Sequence, residues 1–234
     1  MLIKVFGAAV QGIDATLITI EVNSSRGCMF YLVGLPDSAV KESHQRIISA
    51  LQVNGYRMPT SNIVINMAPA DIRKEGTAYD LPLAIGILAA SEVIQSDKLE
   101  RYLLMGELSL DGSLQPIKGA LPIAIKAREL GFEGMIVPCS NAHEAAVVNN
   151  LKVYGVENIK DVIEFYACGE STRARLLNNW AFRGWVREGN TNLYHVRTGF
   201  HHNTNITFCI LNTVVTSTNE RDECLALCES VFNF

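Results

Sequence analysis

The sequence lacks several features that would assign a function directly. The dipeptide Gly-Lys is absent from all 234 residues, so no G-x-x-x-x-G-K-[ST] loop is present to hold the phosphates of ATP. The five histidines and six cysteines show no zinc-ligand spacing. Cys224 and Cys228 could share a helical face, but no second ligand pair accompanies them. We therefore expect neither ATP hydrolysis nor a metal site in this chain.

Long apolar runs and excess positive charge are also missing. The longest apolar run, residues 81–90, is too short to cross a hydrocarbon layer of about 30 Å. The first residues do not have the pattern of a signal peptide. A net charge of −4 argues against a generally basic nucleic-acid binder but permits a local basic patch. These features predict a cytoplasmic protein without a membrane partner.

Residues 1–167 alternate between strand and helix patterns, as one compact α/β unit would. Apolar and β-branched runs predict strands at 2–6, 15–25, 28–35, 62–69, 134–138 and 151–156, and a hairpin spans 102–117 around Asp111-Gly112. Helical periodicity predicts helices from residue 38 to about 54, from about 80, and over 119–131, 141–150 and 158–167. We predict an α/β (α+β) fold with helices on a mixed sheet.

Two carboxylates mark the expected helix starts. Asp37 or Ser38 should cap the first helix, and Asp80 should cap the second, with Pro82 in its first turn. Glu107 and Asp111 could form an acid–base pair. The favoured interpretation is that Asp111 belongs to a turn and Glu107 is a solvated strand residue.

The composition changes after Ala167. Residues 168–234 contain both tryptophans and many asparagines, and they show no sustained periodicity apart from residues 205–217. We therefore place a domain boundary near residue 167. The first domain is 1–167, and 168–234 is a divergent tail.

Three segments resemble the N-terminal domain of the YifB/ComM family of magnesium-chelatase-like AAA+ ATPases. They are "VGLPDSAVKESHQRI", "INMAPADIRKEGTAYDLPLAIGILAAS" and "GELSLDGSLQPIKGALPIAIKARELGF". The resemblance covers residues 1 to about 166. It implies a Lon-protease-like fold of the ribosomal protein S5 domain 2 type. It also implies hexameric rings and a role in DNA branch migration during transformation.

The resemblance further implies an AAA+ module after this domain, with ATP and Mg²⁺ bound there. Residues 168–234 contain no Walker motif, so no cofactor is expected in this chain. Two explanations remain for the tail. It is the product of a frameshift or premature end that truncates the protein, which the abrupt composition shift favours, or it is an unrelated extension.

The same resemblance places the catalytic positions of Lon proteases on this chain. The nucleophilic serine would fall at Ala78 and the activating lysine at Leu121. Covalent catalysis needs both groups within hydrogen-bond reach, and neither is present. Thr77 should point differently from residue 78, and the nearby Lys118 should lie elsewhere. A Lon-like serine peptidase is therefore the disfavoured alternative, as is a magnesium chelatase subunit.

The hypothesis from the sequence is a non-catalytic scaffold that contacts DNA. Arg73 and Lys74 lie in the loop "ADIRKEG", where basic groups could bind backbone phosphates. An ordinary solvated loop is the alternative. The predicted DNA-contacting residues are Lys41, Arg46, Arg57, Arg73 and Lys74.

Overall fold

The computed structural model describes residues 1–168, 175–177, 193–199 and 205–211. The chain divides into two units, Met1–Leu177 and Asn178–Phe234. Most of residues 168–234 lies outside the described residues. The prediction that this tail is frameshifted or poorly ordered concerns those residues and stays a prediction. Among the described helices, none is long and apolar enough to span a membrane.

The first unit is built on one mixed sheet of eight strands, and the predicted α/β fold class is confirmed. The strands of this unit are β1 (Leu2–Gln11), β2 (Asp14–Ser25), β3 (Phe30–Val33), β4 (Asn62–Ala68), β5 (Tyr102–Leu104), β6 (Glu107–Leu108), β7 (Leu114–Gln115), β8 (Gly134–Pro138), β9 (Lys152–Val156) and β10 (Arg175–Leu177). The order of strands in the sheet is β10-β9-β8-β5-β1-β2-β4-β3. β1, β2 and β4 pair antiparallel, whereas β3 lies parallel to β4, and β5, β8 and β9 are parallel to β1 or to one another. β6 and β7 form a separate antiparallel pair.

Among the described residues, five α-helices accompany this sheet. They are α1 (Ser38–Val53), α2 (Asp80–Ala90), α3 (Ala120–Glu129), α4 (Cys139–Ala145) and α5 (Ile159–Cys168). Four lie close to the predicted ranges, and the helix predicted at 141–150 begins at Cys139 and ends at Ala145. Every residue of α2 is buried, because the helix is apolar on all sides and packs against β1 and β2. This burial fixes the chain segment that enters α2.

The contact between α2 and the sheet is close enough to require a glycine. A Cβ atom added at Gly86 would lie 2.8 Å from Val22 Cγ2 and 3.2 Å from Val5 Cγ2. Val5 and Val22 are themselves fully buried on β1 and β2. The glycine therefore lets the helix backbone approach the strands directly.

The second unit contributes one described pair of strands. β11 (Leu193–Gly199) and β12 (Asn205–Leu211) pair antiparallel, from Leu193 opposite Leu211 to Gly199 opposite Asn205. β12 falls in the part of the tail where the sequence showed strand-like periodicity.

Candidate functional site at the bend before helix α2

A cavity of about 370 Å³ lies beside residues 74–79, which we term the bend. This volume is within the range of small-ligand sites, about 300–1,000 Å³. The cavity is bounded by the bend, by β1, by the start of β6 and by the turn before α3. Its lining residues are Ala8, Val10, Glu75, Gly76, Thr77, Ala78, Tyr79, Met105, Glu107, Pro116, Ile117, Lys118 and Ile123.

Ala78 lines this cavity, at the position where the resemblance places a serine nucleophile. Beside it, the hydroxyl of Thr77 donates a hydrogen bond to Oε2 of Glu107. Glu107 is half-buried, so the expectation of a solvated strand residue is wrong. The carboxylate engages a hydroxyl of the bend because both side chains line the same cavity.

Lys118, and not Leu121, lines the cavity. The expectation that Lys118 lies elsewhere is wrong, because its turn is held against the cavity. Oδ1 of Asn141 accepts a hydrogen bond from the N–H of Ile117, and Nδ2 of Asn141 donates one to the carbonyl oxygen of Ile117; each bond is 2.8 Å long. Leu121 is half-buried and packs against the core, while its N–H donates to Glu144 Oε1 at 3.0 Å.

Asp80 follows the bend and is bound by Arg46. The guanidinium donates from Nε to Oδ2 at 2.6 Å and from Nη2 to Oδ1 at 2.9 Å. The N–H of Leu108 donates to the same carboxylate at 3.2 Å. The expectation that Asp80 caps α2 is wrong, because Tyr79 occupies the N-cap position and Asp80 lies in the first turn. Its carboxylate links helix α1 to helix α2 and strand β6.

The pKa values of Asp80, Arg46 and Tyr79 are all raised. Burial raises the pKa of Asp80 and outweighs the stabilising effect of Arg46 on the carboxylate. The hydrogen bond to Asp80 raises the pKa of Arg46, so the guanidinium stays charged. Burial also raises the pKa of Tyr79, the N-cap residue.

Asp37 joins the bend to α1. Its Oδ1 accepts from the N–H of Val40 at 2.8 Å, which confirms the predicted helix cap. Its Oδ2 accepts from the N–H of Gly76 at 3.1 Å. The backbones are also linked, since the N–H of Asp37 donates to the Lys74 carbonyl at 3.0 Å.

Lys74 is fully buried at the start of the bend. Its ammonium donates to the carbonyl oxygen of Pro69, so the side chain closes the loop that precedes it. Burial lowers the pKa of Lys74, and the nearby carboxylate of Asp71 opposes this effect. The buried Lys74 side chain therefore stabilises the loop that leads into the bend.

The five predicted DNA-contacting residues have different environments. Lys41 and Arg57 are exposed, near opposite ends of α1, whereas Arg73 is exposed and paired with Glu75 at 3.2 Å. Arg46 and Lys74 make the internal bonds described above. An isolated β-bridge joins Lys74 to Pro36, which precedes α1. Lys41, Arg73 and Lys74 therefore all lie toward the N-terminal end of α1. DNA contact by these residues stays a prediction.

The arrangement retains a shaped cavity but not a serine nucleophile at position 78. Residue 78 supplies only a methyl group, and Leu121 supplies no amine. Within the ranges that the structure describes, no group of three or more His, Cys, Asp or Glu side chains could hold a metal ion.

Comparison with known proteins agrees with this geometry. The family model described as subunit ChlI of Mg-chelatase matches residues 20–141. Competence protein ComM of Haemophilus influenzae is 41% identical over 162 residues, which are 69% of this chain and 32% of that protein. The uncharacterized protein YifB of Escherichia coli is 41% identical over 158 residues, 67% of this chain and 31% of that protein.

A more distant similarity extends to proteases. Lon protease 2 of Bacillus subtilis is 26% identical over 128 residues, which are 54% of this chain and 23% of the protease. The chain spans about a third of the length of the ComM and YifB relatives. The chain belongs to the YifB/ComM family of proteins related to the ChlI subunit of magnesium chelatase.

Proposed function

We propose that this chain carries the non-catalytic, Lon-like domain of a DNA-processing ATPase. The observation that carries the proposal is Ala78 in an otherwise intact bend. Asp37, Lys74 and Asp80 hold that bend by side-chain bonds. Residue 78, at the position of the nucleophile, carries only a methyl group and no reactive group. A fold kept in this form acts as a scaffold and a binding surface.

The role in DNA processing is supported by the relative named competence protein ComM. In this proposal, ATP and Mg²⁺ bind to an ATPase module found in longer relatives, and the N-terminal domain helps that module to form a ring. Light scattering after size exclusion tests the assembly role. A full-length relative should form a ring, and replacing its N-terminal domain should change the size of that ring.

The DNA contact is best assigned to the exposed basic residues at the N-terminal end of α1. Lys41 and Arg73 are exposed there, whereas Arg46 and Lys74 face inward to Asp80 and Pro69. Arg57 lies beyond the other end of α1, whose 16 residues extend about 24 Å at 1.5 Å per residue. Lys41 and Arg73 therefore form the core of the proposed contact, with Arg57 as a distant second point.

Charge reversal tests this assignment. We compare the full chain with Lys41→Glu/Arg73→Glu, measuring the anisotropy of fluorescein-labelled single-stranded and branched DNA across a salt series. Arg26→Glu/Lys160→Glu is the matched control, because both residues are exposed and the net charge changes equally. Loss of two phosphate contacts should reduce the slope of log K against log salt by about 1.4 units on single-stranded DNA and about 1.8 units on duplex DNA. The assignment fails if the wild-type chain does not bind or if both variants lose equal affinity.

A further inference from the structure

Half of one edge of β1 faces the cavity without a neighbouring strand. The N–H of Ala8 donates to Sδ of Met105 at 3.3 Å, on the side away from β2. Peptide groups two residues apart in a strand face the same edge, so those of Val10 also face away from β2. β5 pairs with β1 at Phe6 and ends at Leu104, and no strand of the described chain continues beside Val10.

The gap beside Val10 is built by the course of the chain after β5. The N–H of Gly106 donates to the carbonyl of Ala78 at 2.9 Å, and the N–H of Leu81 donates to the carbonyl of Gly106 at 3.0 Å. These bonds draw the chain toward the bend and away from β1. A segment that paired with this edge would lie about 4.8 Å from β1, on the side where the cavity opens.

The lining beside this edge suits an uncharged side chain. Val10, Met105, Ile117 and Ile123 provide apolar surface, and Ala78 leaves space where a larger side chain would fill it. The buried apolar surface favours an aliphatic group.

The charges around the opening do not favour a nucleic acid. Lys118 and Glu75 are both exposed and of opposite sign, and Glu107 adds a second carboxylate. A polyanion would meet two carboxylates and one ammonium. A peptide backbone is neutral and complements the unpaired strand edge.

We propose that the cavity binds an extended polypeptide segment without cleaving it. The segment pairs with β1 at Val10, beyond the Ala8 amide that bonds Met105, and places an aliphatic side chain beside Ala78. This inference goes beyond the proposed DNA contact, because it concerns a different class of partner and a cavity that neither Lys41 nor Arg73 lines.

Binding of an unfolded protein tests the proposal. The full chain is titrated into fluorescein-labelled β-casein, and anisotropy gives the affinity. Ala78→Leu fills the cavity, and Ala70→Leu adds the same volume at an exposed position outside the lining. We expect saturable binding that weakens at least about tenfold in Ala78→Leu and does not change in Ala70→Leu. Absence of binding, or equal weakening in both variants, overturns the proposal.

Hydrogen exchange in the unaltered chain gives a result that does not depend on the variants folding. Casein should slow exchange at the amide of Val10, whereas the amide of Ala9, which faces β2, should change little. Unchanged exchange at Val10 overturns the proposal, as does equal displacement of casein by an oligonucleotide. Lys41→Glu/Arg73→Glu should still bind casein normally, so failure of the DNA proposal is distinguishable from failure of this one.

Discussion

Arg46 and Asp80 form a two-point ion pair between helix α1 and the first turn of α2, with bonds of 2.6 and 2.9 Å. The Asp80 side chain is 1% exposed, so the guanidinium is its main compensation for burial. The pair ties two helices together directly after the bend. Removing either partner alone should therefore be costly.

Arg46→Met should destabilise the domain by about 3–5 kcal/mol at neutral pH, because it leaves a buried carboxylate unpaired. Urea denaturation followed by circular dichroism measures this loss. Arg46→Met/Asp80→Asn is the control, since it removes the charge together with its partner. The double variant should lose less stability than Arg46→Met. Equal losses would contradict the argument.

The stability loss in Arg46→Met should also depend on pH. The folded-state pKa of Asp80 lies above its ordinary value of 3.8, and loss of Arg46 raises it further. A raised carboxyl pKa means that the folded state takes up the proton first, so protonation favours folding as the pH falls. The difference between wild type and Arg46→Met should shrink as the pH falls toward 3.8. The double variant Arg46→Met/Asp80→Asn should not show this trend.

Asp37→Ala should lower the free energy of unfolding by about 1–3 kcal/mol, because it removes the cap of α1 and the acceptor for Gly76. Denaturant unfolding measures the change, and exchange at the amide of Gly76 should accelerate. Asp97→Ala is the control, at an exposed aspartate. A loss no larger than that of Asp97→Ala would show that Asp37 does not anchor the bend.

Comparing Gly34→Ala with Gly55→Ala separates the stability cost of a steric clash from the cost of a left-handed backbone conformation. Both glycines have positive φ, 99° and 82°, but a Cβ at Gly34 would lie 2.1 Å from the carbonyl oxygen of Met67, whereas Gly55 faces open space. Gly55→Ala should cost about 1–2 kcal/mol from the left-handed backbone alone. Gly34→Ala should cost clearly more, as measured by thermal unfolding. Similar costs would mean that β4 moves to accommodate the methyl group.

A fluorophosphonate probe should not label the chain, and casein should remain intact. Residue 78 has no hydroxyl, and Leu121 offers no base. Lon protease 2 of Bacillus subtilis serves as the positive control. Labelling of Thr77 in the wild-type chain, located by mass spectrometry, would contradict this prediction.

Local sequence signals predicted the elements of the first unit well. The Asp37 cap and the apolar stripe of Val40, Ile47 and Leu51 place α1 close to its observed limits, because a helix start depends on neighbouring residues. The strand at Gly134–Pro138 was predicted over the same residues for a similar reason.

The site depended on pairs that local patterns do not contain. Arg46 and Asp80 are 34 residues apart, and Thr77 and Glu107 are 30 apart. A capping preference assigned Asp80 to its own helix, but the tertiary fold brought a guanidinium to it. Both interpretations of Lys74, a DNA contact and a solvated loop, placed its side chain at the surface, whereas it is fully buried. No local feature of the sequence indicates that this loop encloses its own lysine.

The bonds that hold the bend leave the side chain of residue 78 unused. Asp37, Lys74, Thr77 and Asp80 each contribute a side chain, and Ala78 contributes only its backbone carbonyl. Architecture and chemistry are therefore specified by different residues at this site. A single substitution at residue 78 can thus change the chemistry of the cavity without removing any of the bonds that hold the bend.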